Sequence, residues 1–385
     1  MRINLITHVL SFSGGNIQLS IIANKLKELG YEVKIISVEH KDERLDIQVP
    51  IIYVPIPERV QRILKIYKIL SLKFKSKSNY FVVEEGIAKK LGFHADIIRG
   101  LSETIPEAGL HMATTMQSAL ALWLSSRRGI YYYLVNEFPA YVIEYHGNYG
   151  LRLFELVLRL PFIFLTYSSF QKDIVTSIQP NAKVEIIGVG IDTKIFYPRP
   201  KEKIFNNDNP TILFFIRGVK HKGDHIAIEA LNIVNKKIPI NAIIIGSKNN
   251  LHNSLVKGFI PKFNYILEQP SGEKLAQLLS SSDAFIFASS EEGFGVPPLE
   301  AMACGIPVVT TDCKGNRDYA LNMHNCIVVP PEDPKALANA VITVLTNEKL
   351  KEILIKNGFD TVKKYTVENF INRIHEILQK YKKVL

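Results

Sequence analysis

Glu292 and Glu300 stand with seven residues between them, in the string Glu291-Glu292-Gly293-Phe294-Gly295-Val296-Pro297-Pro298-Leu299-Glu300. Gly293 and Gly295 let the backbone approach a ligand closely and take positive φ. Pro297 and Pro298 lack backbone donors, which the first turn of a helix does not need. The pattern predicts a short helix over 299–304, ended by Gly305 and Pro307. Loop amides and the positive end of that helix together make a seat for phosphate. Carboxylates at both edges of such a seat suit a ligand with an anionic middle and hydroxyl-rich ends. A nucleotide diphosphate sugar has that form. An ordinary strand-turn-helix with solvated acids is the plainer reading, and the length and order of the string argue against it.

A second charged element lies upstream, in Phe215-Ile216-Arg217-Gly218-Val219-Lys220-His221-Lys222-Gly223. Arg217 and Lys222 flank a loop that opens toward a helix. Two fixed cations there can hold a diphosphate and stabilise the charge that grows on it as a leaving group. Loop cations are usually only solvated, so this pair gains weight from the glutamates downstream. Near the amino terminus, Ser13-Gly14-Gly15-Asn16 follows the first strand pattern. Glycines at that place permit a tight turn and close ligand approach.

These residues need a scaffold that brings strand ends together. Strand-like runs at 3–6, 33–38, 51–54, 109–112, 130–134, 162–167 and 184–187 are joined in the opening segment by a helical pattern over 16–29. A polar, proline-flanked stretch follows at 198–210. A second series then alternates strands at 211–216, 242–245, 284–288 and 308–310 with helices near 227–235 and 273–279. Helical patterns over 334–346, 350–357 and 367–383 close the chain. Repeated β-α-β units predict parallel sheets with right-handed crossovers, an α/β fold. Two such domains are expected: residues 1–197, then a linker over 198–210, then 211–366. Their facing strand ends would leave an interdomain cleft.

The glutamate string resembles the E-x7-E signature of family 4 glycosyltransferases, the retaining enzymes of the GT-B fold, and the Ala-Met-Ala-Cys-Gly-Ile-Pro-Val-Val run over 301–309 extends the match. The resemblance implies two Rossmann-like domains facing each other across a cleft. The first would bind the acceptor and the second the nucleotide sugar. Residues 367–385 would cross back to the first domain. It also implies that Glu292 lies beside the donor sugar, that Glu300 holds ribose hydroxyls, and that Gly293, Phe294, Gly295 and Val296 present backbone amides to the donor. Arg217 and Lys222 match the family's Gly-Arg-x-x-x-x-Lys-Gly element, with Ile216 in place of the glycine before the arginine. The segment 268–271 is similar to a landmark near the nucleobase, which nominates Gln269. Gly14 and Gly15 fall at the family's glycine loop near the acceptor. The run 131–137 is similar to one in a rhamnosyltransferase-like branch and nominates Asn136 and Glu137 as acceptor contacts. Relatives carry a catalytic histidine just after the strand at 109–112. His111 is the candidate here, although register would place theirs at Ala113; a packed core histidine is the alternative, and His146 is a second candidate.

The chain has 385 residues and a net charge of +10, which fits anionic partners. No RNA-recognition or zinc-finger pattern is present, so nucleic acid is not expected. Cys304, Cys313 and Cys326 form no paired motif and read as small buried residues of a reducing compartment. Seven basic residues and no acid occur over 59–77. Val60, Ile63, Leu64, Tyr67 and Leu70 share one helical face there. Such a helix suits an anionic membrane surface or packs on its own domain. Residues 151–167 are apolar but too short and too charged to span a bilayer. No cleavable signal is visible, so a cytoplasmic protein, peripheral on the inner face of the membrane, is expected. No Asp-x-Asp metal motif and no cofactor motif appear; a nucleotide sugar and a glycan or lipid-linked acceptor are the expected partners. A non-hydrolysing sugar-nucleotide epimerase and a non-catalytic nucleotide-sugar binder are the rival readings.

Overall fold

The structure, a computed structural model, describes residues 1–38, 40–55, 93–246, 264–267, 270 and 272–382. Contacts divide it into two units, Met1–Ile187 with Ile371–Leu385 and Gly188–Phe370. Both are α/β with parallel sheets.

In the first unit the chain runs β1 (Arg2–Thr7), α1 (Gly14–Glu28), β2 (Glu32–Ser37), β3 (Ile51–Tyr53), α2 (Phe93–Thr104), β4 (Leu110–Ala113), α3 (Met116–Ser125), β5 (Ile130–Val135), α4 (Pro139–Leu158), β6 (Ile163–Thr166), α5 (Ser169–Ile178) and β7 (Lys183–Ile186). Among the described residues these strands form one sheet in the order β3-β2-β1-β4-β5-β6-β7. The second unit runs β8 (Thr211–Phe215), α6 (Asp224–Lys237), β9 (Asn241–Ile245), β10 (Asn264–Leu267), α7 (Gly272–Ser280), β11 (Ala284–Phe287), α8 (Val296–Ala303), β12 (Val308–Thr311), β13 (Ile327–Val329), α9 (Pro334–Thr346), α10 (Glu348–Val362) and the start of α11 (Val367–Lys382). Its sheet has the order β10-β9-β8-β11-β12-β13.

The central strands are apolar on both faces because helices cover both. Ile212, Leu213, Ala284 and Phe285 are fully buried, as are Leu5, Leu110 and Leu134. Each sheet reverses its winding once, between β1 and β4 in the first unit and between β8 and β11 in the second. At such a reversal, adjacent strand-end loops diverge to opposite faces and leave room for a ligand at the carboxyl edge. Those two places are where the fold leaves room for a ligand.

Several details depart from the sequence expectations. Helix α1 starts at Gly14, two residues early, because the Ser13 Oγ accepts the Asn16 N–H over 3.4 Å and caps it. The stretch 198–210 belongs to the second unit: the Ser280 and Ser281 hydroxyls accept the Arg199 and Glu202 N–H groups at 3.2 and 3.0 Å, and Arg199 pairs with Glu273. Helix α4 fills 139–158, where no helix was expected, and it bends at Gly147, with φ 59° and ψ −160°. The later part of α11 packs within the first unit: Gln379 and His375 meet the Tyr31 hydroxyl at 2.9 and 3.1 Å, and Lys380 pairs with Glu185. All three cysteines are free and buried. Among the described residues no helix is long and apolar enough to cross a membrane.

Candidate active site

The loop after β8 is held from within. Gly218 and Gly223 take φ of 74° and 66°. At Gly223 a Cβ would come within 2.0 Å of the Ala288 carbonyl oxygen, so only glycine fits. The buried Asp224, first residue of α6, accepts from the Arg217 and Gly218 N–H groups through one carboxylate oxygen at 3.0 and 2.7 Å. Burial raises its pKa, and those two N–H groups oppose the rise. Sequence reading passed over Asp224; an acid at the start of a helix, seven residues after the arginine, was the available signal. The anchored backbone aims the two cations: the Arg217 guanidinium lies 4.5 Å from the Phe215 ring centroid, while the Lys222 ammonium reaches β11's loop.

That loop follows one strand over, at the reversal of winding. Lys222 Nζ donates to both Glu292 carboxylate oxygens at 2.8 Å, and Ser289 Oγ donates to one of them at 2.7 Å. Gly295 takes φ 84° and caps α8, which starts at Val296, three residues before expected, because the two prolines fit its first turn. The Tyr319 hydroxyl donates to the Gly295 carbonyl and fixes the turn. Phe294 turns inward against Tyr319 and Tyr365, with ring centroids 5.3 and 5.5 Å away. Any contact it makes with a ligand is therefore through its backbone. Val296 opens α8, and Glu300 follows one turn later. Burial pushes the Glu300 carboxyl up to about 7, and the charge of Arg217 pulls the other way. A half-buried acid near a guanidinium thus completes the group. Arg217, Lys222, Glu292 and Glu300 converge on one edge of one sheet.

A third loop supports this edge. The backbone of Glu292 bridges Lys314 after β12, and the Glu292 N–H donates to the Cys313 carbonyl at 3.0 Å. Lys314 pairs with Glu291. Lys314 has φ 65° and ψ −58°, a conformation that costs a non-glycine residue about 1–3 kcal/mol. Gln269 lies outside the described residues, as does the basic segment 59–77.

At the first unit's edge the groups are mostly uncharged. His8 follows β1, and its Nδ1 lies 3.1 Å from the Thr115 hydroxyl. Thr115 caps α3 after β4, accepting the Ser118 N–H at 3.2 Å. The Asn136 amide donates to the Thr114 carbonyl at 2.7 Å, and its oxygen lies 3.2 Å from where a Cβ on Gly15 would sit. Gly14 has open space around its Cβ position. Neither glycine has positive φ, so they make the first turn of α1 and not the expected tight turn. His8 was not singled out from the sequence, although a histidine just past the first strand was visible.

Two nominated residues face inward. His111 is fully buried in mid-strand, with ring nitrogens 3.3 Å from the Asn4 amide and 3.0 Å from the Arg128 carbonyl. Arg128 precedes β5, so the ring leans toward the amino edge of its own sheet and not toward the carboxyl edge. Burial lowers its pKa. It is the packed core histidine. Glu137 is buried too: one oxygen accepts the Met116 N–H at 2.7 Å and the other the Tyr133 hydroxyl at 2.8 Å. Burial pushes its carboxyl up to about 7. It ties β5's end to α3 and does not present an acceptor contact. His146 sits beside the Tyr141 ring, just before the bend of α4.

The geometry of the second unit has counterparts among known proteins. Residues 198–361 match the family model of glycosyl transferases group 1. The glycosyltransferase match thus covers the converging charges and stops before α11. Over 341 residues the chain is 25% identical to an N,N'-diacetylbacillosaminyl-diphospho-undecaprenol alpha-1,3-N-acetylgalactosaminyltransferase of Campylobacter jejuni, spanning 83% of this chain and 88% of that protein. It is 27% identical to a UDP-Gal:alpha-D-GlcNAc-diphosphoundecaprenol alpha-1,3-galactosyltransferase of Escherichia coli, over 47% of this chain and 52% of that one. Among solved structures, sucrose-phosphate synthase from Thermosynechococcus elongatus superposes with a TM-score of 0.76 at 18% identity, covering 100% of both chains. The Anabaena protein HepE, in complex with UDP and glucose, gives 0.74 at 17% identity over 99% of this chain and 100% of that one. The fold is GT-B.

Proposed function

We propose that the chain is a retaining glycosyltransferase that moves a hexose from a nucleotide diphosphate sugar to a hydroxyl of a glycan, with a lipid-linked glycan as acceptor. The observation that carries this reading is the convergence of Arg217, Lys222, Glu292 and Glu300 at the winding reversal of a glycosyl transferases group 1 domain. The lipid-linked acceptor follows the names of the two relatives.

Arg217 and Lys222 would grip the diphosphate and offset the negative charge on the departing nucleotide, the role a divalent ion has in other transferases. The reaction would thus proceed without metal and without a cofactor. Amides of Gly293–Val296 and the start of α8 would donate to the same diphosphate. Glu300 would accept from ribose hydroxyls. Glu292 is already bonded to Lys222, so it suits positioning the sugar better than attacking it. The leaving phosphate would then help take the acceptor's proton on the same face, with retention. Asn136, Gly14, Gly15 and His8 mark the acceptor side. A cytoplasmic site at the inner membrane face fits the acceptor, with 59–77 as the contact to anionic lipid.

Purified protein with a UDP, GDP and dTDP sugar panel and an undecaprenyl-diphosphate-linked saccharide tests this. Product with the donor's anomeric configuration by NMR, formed equally in EDTA, is expected. Epimerised donor without acceptor would replace the reading with an epimerase. Saturable donor binding without turnover on a broad acceptor panel would make the chain a binder.

A further inference from the structure

The proposed donor site leaves unused the loop after β12. The Gly315 N–H donates to the Cys313 carbonyl at 2.7 Å, closing a γ-turn with Lys314 at its centre in the rare positive-φ form. Glycine would adopt it without a steric penalty; lysine does not. The turn itself is needed, because it lets Gly315 pack under the donor loop. A Cβ on Gly315 would come within 2.4 Å of the Glu292 carbonyl oxygen. The turn has no use for a lysine backbone, so the reason for the residue lies in its side chain.

That side chain pairs with Glu291, whose carboxyl is largely enclosed at 11% exposure while the lysine keeps 43%. Glu291 and Glu292 are consecutive, and each is taken by a different lysine: Lys314 for Glu291, Lys222 for Glu292. Strand order places β11 between β8 and β12. Arg217 and Lys222 therefore lie on one side of the Glu292 loop and Lys314 on the other. A diphosphate held by the β8 cations would set the transferred sugar over Glu292, with the Lys314–Glu291 pair beyond it. An ammonium donates to hydroxyl oxygens and a carboxylate accepts from hydroxyl hydrogens, so the pair matches a polyhydroxylated ring. Strained residues concentrate where their side chains serve a ligand.

We infer that Lys314, held by Glu291, is a specificity-determining residue that reads the hydroxyls of the donor hexose. This rests on the donor-site reading above. The test uses the full chain and the best-bound nucleoside diphosphate from a UDP, GDP and dTDP series, with its matching nucleotide sugar. Calorimetry on Lys314→Gly should show about a ten-fold loss of affinity for the nucleotide sugar and less than a two-fold change for the free diphosphate. The melting temperature should stay within a few degrees of the wild type, since the relieved strain offsets the lost pair and the added freedom of the unfolded chain. Glu291→Gln should give the same selective loss. Equal weakening of both ligands, or a melting temperature lower by several degrees, would make Lys314 a prop for the loop and overturn the inference. Unchanged affinity for both would overturn it as well. If the wild type binds neither ligand, the donor site itself is misassigned and the inference falls with it.

Discussion

The two sheets share one winding pattern, yet their carboxyl edges differ in chemistry. In the second unit the edge carries Arg217, Lys222, Glu291, Glu292, Glu300 and Lys314, paired across three adjacent loops. In the first unit the corresponding edge presents His8, Thr115 and Asn136, while Glu137, the acid that follows β5, is sealed inside. On the proposed reading, the contrast separates two tasks. Holding an anionic ligand needs fixed cations, and here the carboxylates of Glu292 and Glu291 hold Lys222 and Lys314 in place. Admitting a neutral sugar hydroxyl needs small polar groups and room, and a stray buried charge serves only to fasten the scaffold.

The sharpest break between the two edges is expected from Glu292→Ala, which should lower turnover by about a thousand-fold with little change in melting, because an aligned charged contact is lost. His111→Ala should do the reverse. It removes a buried ring with two polar partners, so urea denaturation should show a loss of about 2–4 kcal/mol, while donor affinity per folded molecule is unchanged. If His111→Ala folds normally and loses turnover, the inward reading of that residue is wrong.

Glu137 gives a weaker, pH-dependent effect. Its carboxyl is pushed from 4.5 up to about 7 by burial. The folded state therefore holds the proton better than the unfolded one. The resulting stability is complete below about 4.5 and is lost as pH rises through about 7, a swing of at most about 3 kcal/mol. Glu300 titrates in the same window, so Glu137→Gln should flatten only part of the slope between pH 5 and 8. A slope identical to the wild type would show that Glu137 is ionised throughout.

Glu300 tests the other edge in the opposite sense. Its carboxyl also sits at about 7, and ribose hydroxyls donate best to the ionised form. Affinity for a nucleoside diphosphate should therefore rise by about ten-fold from pH 6 to pH 8, and Glu300→Gln should remove that rise. Titration calorimetry at three pH values decides it. The smallest expected change is His8→Ala. It should leave stability within about 1 kcal/mol, as befits a half-buried group, and slow turnover about ten-fold without altering donor affinity. No change in turnover would confine the acceptor side to Asn136 and the glycine turn.

Much of this was legible in the chain. The strand runs are short, apolar and bounded by turn residues, so parallel α/β order could be read directly. Positive φ at Gly223 and Gly295 follows from glycine's lack of a Cβ, and Pro297 with Pro298 marks the start of α8. The spacing of Glu292 and Glu300, and of Arg217 and Lys222, located the proposed donor site because each pair lies within one loop or one loop and its helix. Local sequence fixes such neighbours almost alone.

Other features arose from contacts between distant segments. Lys222 and Glu292 are 70 residues apart, and only the adjacency of β8 and β11 joins them. His111 and Glu137 were nominated by resemblance, His111 to a histidine that relatives carry just after β4 and Glu137 to a run in a rhamnosyltransferase-like branch. Whether a side chain at such a place faces the edge or the core depends on strand phase and on partners more than a hundred residues away for His111, such as Asn4. The strain at Lys314 is likewise invisible in sequence, since it comes from a turn that must pass beneath another loop. Composition and spacing chose the elements and the residues of the proposed donor chemistry; packing chose which charges meet, because burial and pairing act between groups the chain keeps far apart.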